Sequence, residues 1–285
     1  MARYRFLLGG LLLLTFFSLA VAQNDDQPIC NKIFSYAFEH KLIERPIGDV
    51  IAEIGKQFLG KPYKSNTLDQ QPDERLVTNL HSFDCVTFVE NVLALSLCVK
   101  SNQLSFDAYR KELQAIRYRS GAINGYTSRL HYFSDWILDN QKKGIVEDIT
   151  EKLGGKPYKK MINFMSSHRA LYPKLAADST FATLTTVEDS LNRRKTYFIP
   201  KSTIPKSAIR NGDIIAITTS RKGLDISHVG IAVRVRDGSL HYMHAPNVKG
   251  VVKITEETLV EHLKKHSEQS GIMVLRAVEF EALTK

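Results

Sequence analysis

The stretch SHVGIAVRVRDGSLHYMHA, from Ser227 to Ala245, decides the fold. His228 to Val235 alternates, Asp237-Gly238 supplies a turn, and Leu240 to Ala245 returns. A period of two around a glycine turn reads as an antiparallel hairpin. Two registers are open to it. With a two-residue turn, Arg236 faces Ser239, and His228 and His244 fall on opposite faces. With a three-residue loop and a bulge, His244 stands opposite Gly230, diagonal to His228 and within its reach. The odd-length loop is expected, with Gly230 leaving room for the His244 ring.

Around the hairpin, Asn211-Gly212 turns into a strand over Asp213–Thr219, and Val251–Ile254 and Ile272–Val278 read as further strands. Thr255 is a candidate cap for a helix reaching about His266. Upstream the pattern is helical. After a polar lead-in over Asp25–Pro28, helices are expected near Asn31–His40 and Ile47–Leu59, the second stopped by Gly60-Lys61-Pro62. Phe83–Val99 is strongly helical, and Ser105 caps a helix with Phe106, Tyr109, Leu113 and Ile116 on one face. Between 119 and 200 the pattern is weaker: an aromatic helix near Leu130–Asn140, a helix near Lys159–His168, and Thr185-x-x-Glu188, which resembles a capping box. Helices first and an antiparallel sheet later indicate an α+β fold.

The chain has 285 residues, 43% hydrophobic and 24% charged, with a formal charge of +9. This excludes a disordered, fibrous or multi-span membrane chain. Arg3 and Arg5 precede an apolar run, Phe6–Val21, that ends in Ala20-Val21-Ala22. This reads as a secretory signal peptide over residues 1–22, cut after Ala22, rather than an uncleaved anchor, for which the run is short. Residues 23–285 are then expected to form a single domain, with the region around 119–200 as an elaborated insertion. With Arg3 and Arg5 gone, 37 basic residues face 30 acidic ones, a charge of +7. An exported, periplasmic or secreted basic protein meets anionic wall polymers rather than nucleic acid, with no stable membrane insertion once the leader is cut.

The chemistry concentrates at three residues. Cys85 follows Asp84 at the start of the long helix, where unpaired N–H groups and the helix dipole favour thiolate, and where its own N–H can help hold an oxyanion. The bland alternative is a buried structural cysteine. His228 is suited to take the thiol proton and return it to a leaving amine. His244 is suited to orient His228 as a third member. By itself His228 would more often be a satisfied core or surface histidine.

At this point an ordered set of motifs matches a family. Leu59-Gly60-Lys61-Pro62-Tyr63, Phe83-Asp84-Cys85-Val86-Thr87-Phe88-Val89, Asn211-Gly212-Asp213-Ile214-Ile215, Ser227-His228-Val229-Gly230-Ile231 and His244-Ala245 follow one another along the chain. The set resembles the NlpC-type bacterial cell-wall cysteine peptidases, which implies a compact papain-like fold. Asn79-Leu80, Thr87-Phe88-Val89-Glu90-Asn91 and Arg129-Leu130-His131-Tyr132-Phe133-Ser134-Asp135-Trp136-Ile137 further resemble the N-acetylmuramoyl-L-alanine amidase-like branch. That resemblance implies Cys85 as nucleophile, His228 as base, His244 as orienting residue and Tyr63 beside the nucleophile, with Asp84 and Ser227 shaping the site. It implies cleavage between N-acetylmuramic acid and L-alanine. The alternatives are an endopeptidase cutting between D-glutamate and the diamino acid of the stem peptide, and a non-catalytic wall-binding protein of the same fold.

One departure from a minimal peptidase is that Cys85 and His228 are 143 positions apart. The excess reads as elaboration around the cleft. Arg129 is suited to a substrate carboxylate as well as to a structural pair, and His131 lies beside it. Tyr132 and Trp136 are suited to a sugar-facing aromatic surface or, as helical aromatic stripes usually are, to core packing. No cofactor is implied. There is no His-Glu-x-x-His stretch, His241 and His244 point to opposite strand faces, and His40, His81, His168, His262 and His266 lack ligand-like spacing, so no metal is expected. Cys30 and Cys98 are either a disulfide or two buried thiols.

Overall fold

The start of the first helix shows how local sequence and tertiary bonds combine here. In this computed structural model, which describes residues 25–247 and 250–279, α1 spans Asp26–Glu39. It starts inside the expected polar lead-in because buried Asp26 accepts the Leu80 N–H at 2.7 Å. The expected signal peptide lies outside the described residues. Among those described, no helix is long and apolar enough to cross a membrane.

Pro46 precedes α2 (Ile47–Lys56), which ends before Gly60, a residue at φ 84°. Asp84 caps α3 (Cys85–Lys100) through a reciprocal box: it accepts the Thr87 N–H at 2.8 Å and donates its own N–H to Thr87 Oγ1 at 3.0 Å. Ser105 caps α4 (Phe106–Arg117) as expected. The aromatic segment forms α5 (Phe133–Lys142). Then come β1 (Val146–Asp148), β2 (Lys156–Pro157), a single turn α6 (Phe164–Ser167), α7 (Asp178–Asn192) and β3 (Tyr197–Pro200). The expected capping box at Thr185 is overturned. Thr185 lies inside α7 and its hydroxyl donates to the Phe181 carbonyl at 3.0 Å.

The remaining elements are β4 (Ile214–Thr219), β5 (Ile226–Arg234), β6 (Leu240–His244), β7 (Lys253–Ile254), α8 (Leu259–Lys264) and β8 (Gln269–Ala277). Thr258, not Thr255, caps α8 in a box with Glu261. Thr255 is buried and spends its hydroxyl on the Tyr242 N–H and the Glu257 carbonyl. The sheet runs β2-β3-β8-β4-β5-β6-β7, all antiparallel, and β1 also pairs β8. The fold is α+β with an antiparallel sheet, and the 119–200 region supplies three of its strands.

Both faces of the central strands are buried. Ile214, Ala216, Val229, Ile231, Met243 and Leu275 join the core with α1 to α5, whereas Ile215, Ile217, Ala232, Tyr242 and Val274 join α8 through Leu259 and Leu263. A third cluster under α7 gathers Tyr132, Ile162, Met165, Leu175, Leu184 and Leu191. Cys30 and Cys98 are buried free thiols, so the bridge is not formed.

Glu90 on α3 and Arg117 on α4 form a buried ion pair at 2.7 Å, and Arg117 also donates to the Val77 carbonyl. Removing one partner strands the other away from water. Arg117→Leu is expected to lower unfolding free energy by about 3–5 kcal/mol. Urea unfolding followed by circular dichroism measures this; a loss below about 1 kcal/mol contradicts it.

Candidate active site

Three constraints assemble the site, beginning with the hairpin register. Ile231 pairs with Met243 and Arg234 with Leu240, the odd-length solution. Val235 and Ser239 close the loop, Gly238 takes φ 80°, and Asp237 accepts the Ser239 N–H at 2.8 Å. His228 and His244 consequently share the α8 face, where His228 Nε2 lies 2.7 Å from His244 Nδ1 with the rings perpendicular. The space at Gly230 is filled differently from expectation. A Cβ there would lie 2.5 Å from the Met243 carbonyl oxygen and 2.7 Å from the Tyr242 ring, so glycine makes room for Tyr242.

A β-bulge aims the first histidine. Ile217 pairs with His228 but Thr218 pairs with Ile226, leaving Ser227 as the extra residue. Ser227 is exposed, and its hydroxyl donates to the Ile217 carbonyl at 3.3 Å.

The thiol arrives from the helical side. Pairing between β5 and β6 stops at Ile231, so the Val229 N–H, on the same strand edge, is released. The Cys85 sulfur takes it as a hydrogen bond. This sets the sulfur one residue from His228. Tyr63 is tied by its N–H to the Gly250 carbonyl at 2.9 Å. Its hydroxyl is held above its ordinary acidity range by burial and by the negative charge that Cys85 and Asp84 can carry. The Tyr242 hydroxyl is likewise pushed up by burial and Cys85.

Half-buried Cys85 is pushed from its ordinary value near 9 up to about 12, first by loss of water and then by Asp84. The hydrogen bonds from Val229 and Val86 act in the opposite direction. A helix N-terminus contributes about 0.3–1 kcal/mol, less than one pH unit. Burial wins, and the resting group is a thiol rather than the thiolate the helix position suggested.

Burial lowers His228 to about 4, helped by His262 and His266. His244 falls to about 2, through burial first, then His228 and His262. Both rings are neutral near pH 7. They line a cavity of about 530 Å³ together with Ser227, Arg221, Glu257 and His262. Cys85 is not part of its wall.

The insertion residues are placed elsewhere. Arg129 is buried and its charge is already paired with Asp69 and Glu74, with its guanidinium 5.2 Å from the Tyr126 ring centre. His131 bonds the Tyr126 carbonyl through Nε2 at 2.8 Å and is lowered to about 3 by burial and Arg129. Tyr132 is buried, donating to Glu188 at 2.6 Å. Trp136 is fully buried and stacked on Phe133. Neither ring presents a face to a sugar; the helical stripe faces the core. Sequence reasoning missed Glu257 and His262, which lie against His244. His262 lies on α8 and Glu257 just before its Thr258 cap, and no local pattern in the sequence marks either. Among the described residues, no group of three or more His, Cys, Asp or Glu is placed to hold a metal ion.

A thiol at a helix N-terminus is hydrogen-bonded to the strand that carries His228, within an α+β protein whose antiparallel sheet also holds His244. The chain belongs to the AmiA-like family, described as N-acetylmuramoyl-L-alanine amidase-like, whose model matches residues 53–272. It is 38% identical to a Bacteroides uniformis N-acetylmuramoyl-L-alanine amidase structure, with a TM-score of 0.77 over 81% of this chain and 98% of that one. A Bacteroides fragilis protein named provisionally as a xylanase is 39% identical, with a TM-score of 0.73 over 78% and 98%. A Legionella pneumophila protein at 23% identity shares the fold, with a TM-score of 0.68 over 88% and 94%. No curated protein sequence matches the chain.

The lowered histidines fix the sign of a pH effect. Between about pH 6.5 and the folded values, the unfolded chain binds more protons, so stability falls with falling pH. For buried His244 alone, the loss from pH 6.5 to 5 is expected to be about 1–2 kcal/mol. Urea midpoints across that range test this: His244→Gln should flatten the slope, and an unchanged slope contradicts the assignment.

Proposed function

We propose that this chain is an exported, cysteine-dependent amidase of papain-like architecture, related to the NlpC-type wall peptidases, that cuts between N-acetylmuramic acid and L-alanine. Family membership supports an amidase acting on peptidoglycan. The contact that carries the catalytic assignment is the 2.7 Å bond between His228 Nε2 and His244 Nδ1. It leaves His228 Nδ1 free for a proton, provided His228 donates its Nε2 hydrogen to His244.

In the proposed reaction, the Cys85 proton passes to His228 as the sulfur attacks the amide carbonyl. The developing oxyanion lies by the first N–H groups of α3, where donors stand without helical partners. Collapse breaks the C–N bond, and His228 delivers its proton to the leaving L-alanine nitrogen. Water, deprotonated by His228, then hydrolyses the thioester, releasing the lactyl carboxylate and restoring the thiol. Tyr63, Asp84 and Ser227 shape the walls: Asp84 by capping the nucleophile helix, Ser227 by the bulge, Tyr63 beside the sulfur. Localisation outside the cytoplasm rests on the N-terminal leader pattern.

Mass spectrometry of a defined muropeptide digest tests the bond. The expected product is an intact stem peptide with free N-terminal L-alanine. A shortened peptide would identify an endopeptidase instead. Cys85→Ala is expected to abolish turnover while still binding muropeptide; inactivity of wild type and variant alike would leave a binding protein.

A further inference from the structure

The histidine pair raises an accounting question. His244 is 4% exposed and neutral near pH 7, so it carries one ring hydrogen. For His228 to be a base at Nδ1, His244 Nδ1 must accept, which puts that hydrogen on His244 Nε2. Nε2 is buried and has no hydrogen-bond partner among the described residues. A buried N–H without an acceptor costs about as much as the bond it lacks, and this cost favours the reversed tautomer. In that tautomer, His244 donates to His228 Nε2, the His228 hydrogen moves to Nδ1, and the base is lost.

One group with a spare lone pair lies beside Nε2, although the two are not hydrogen-bonded as the rings stand. The His262 ring centre lies 5.4 Å from that of His244, with the planes at 74°. His262 Nδ1 lies 3.1 Å from Glu257 Oε1, so a neutral His262 donates there and keeps a lone pair on Nε2. The capping box of Thr258 and Glu261 anchors the α8 turn that carries His262. We infer that His262 and Glu257 are positioning residues: Glu257 fixes the His262 ring, a small closing of the two rings lets His262 receive the His244 Nε2 hydrogen, and the resulting chain of bonds holds His228 in its basic tautomer. This rests on the reading of Cys85, His228 and His244 as the catalytic set. The other charged or titratable groups around His262 are His266, whose ring centre is 5.1 Å away, Lys265, which pairs with Glu257 at 3.2 Å, and Tyr242, whose ring centre is 5.8 Å away. Lys253 faces His244.

The test measures kcat and KM on a muropeptide with an intact muramoyl–L-alanine bond, and the pH profile of Cys85 alkylation by iodoacetamide. General base action contributes on the order of 10²–10⁴-fold, and loss of tautomer control should cost about tenfold of it. His262→Phe should lower kcat by about tenfold with little change in KM, and slow alkylation near neutral pH. His262→Gln, which offers a carbonyl acceptor, should restore most of both. Glu257→Ala should fall in the same direction, and Glu257→Gln, whose amide oxygen still accepts from Nδ1, should not. Should His262→Phe fail to fold, the two Glu257 variants decide: a slow Ala with a normal Gln supports the role, and equal behaviour overturns it. Wild-type kcat and alkylation in His262→Phe, or equal losses in His262→Phe and His262→Gln, also overturn it. Turnover by Cys85→Ala would instead remove the catalytic reading on which the inference stands.

Discussion

The register of β5 against β6 is the constraint on which the rest depends. Side chains alternate across a strand, so a slip of one residue exchanges every neighbour between faces. It would turn His244 into the helical core and Met243 into the cavity. Local chemistry prevents this. Gly238 accepts the left-handed backbone, and Asp237 satisfies the next N–H. Arg234 braces the loop by donating to the Gly238 and Ile209 carbonyls at 2.9 and 2.7 Å. Gly230 then admits the Tyr242 ring, which packs edge-on to His228 and tilted against His244. Both imidazoles are therefore held by packing and a single mutual bond.

A sheet buried on both faces has few places for polar groups, and this chain uses each as a joint. Asp213 before β4 holds Arg276 of β8 through two bonds, at 2.8 and 2.7 Å. Asp225 accepts the Ser134 N–H at 2.8 Å, tying the start of α5 to the approach to β5. Glu188 of α7 takes the Tyr132 hydroxyl and the Ser166 N–H. The 119–200 region is thus bonded into the sheet that carries the histidines, and its polar and aromatic residues serve that attachment.

The hairpin and α3 were legible because their signals are local: an alternating pattern around Asp237-Gly238, and Asp84 before a long apolar run. The odd loop followed from requiring two histidines to meet. Arg129 and Trp136 were not legible in the same way. A sequence shows that an arginine needs a carboxylate, but not that Asp69 and Glu74, over 50 residues upstream, supply it. Strands β1 to β3 are two to four residues long, too short for a period to register. Thr185-x-x-Glu188 had the pattern of a cap without the break in the chain that a cap requires. The place of His262 was not legible because its neighbour, His244, is reached only through the fold.

The state of Cys85 turns on a contest between two effects of the same address. The helix end offers dipole and N–H groups that lower a thiol; burial against Tyr63, Tyr242 and the sheet raises it, and Asp84 adds its own charge. The raising effects win, and the lowered His228 removes the cation that would hold a resting thiolate. A preformed thiolate–imidazolium pair is therefore disfavoured in the unliganded site. In the proposed reaction, proton transfer must accompany attack, because neither charge is stable until the oxyanion forms beside the α3 amides. Such a mechanism depends less on how acidic the thiol is than on whether His228 presents a lone pair at the right moment. In the proposed mechanism that condition is set at the contact between His228 and His244, by which of the two rings donates the shared hydrogen and by what receives the hydrogen on the far side of the second ring.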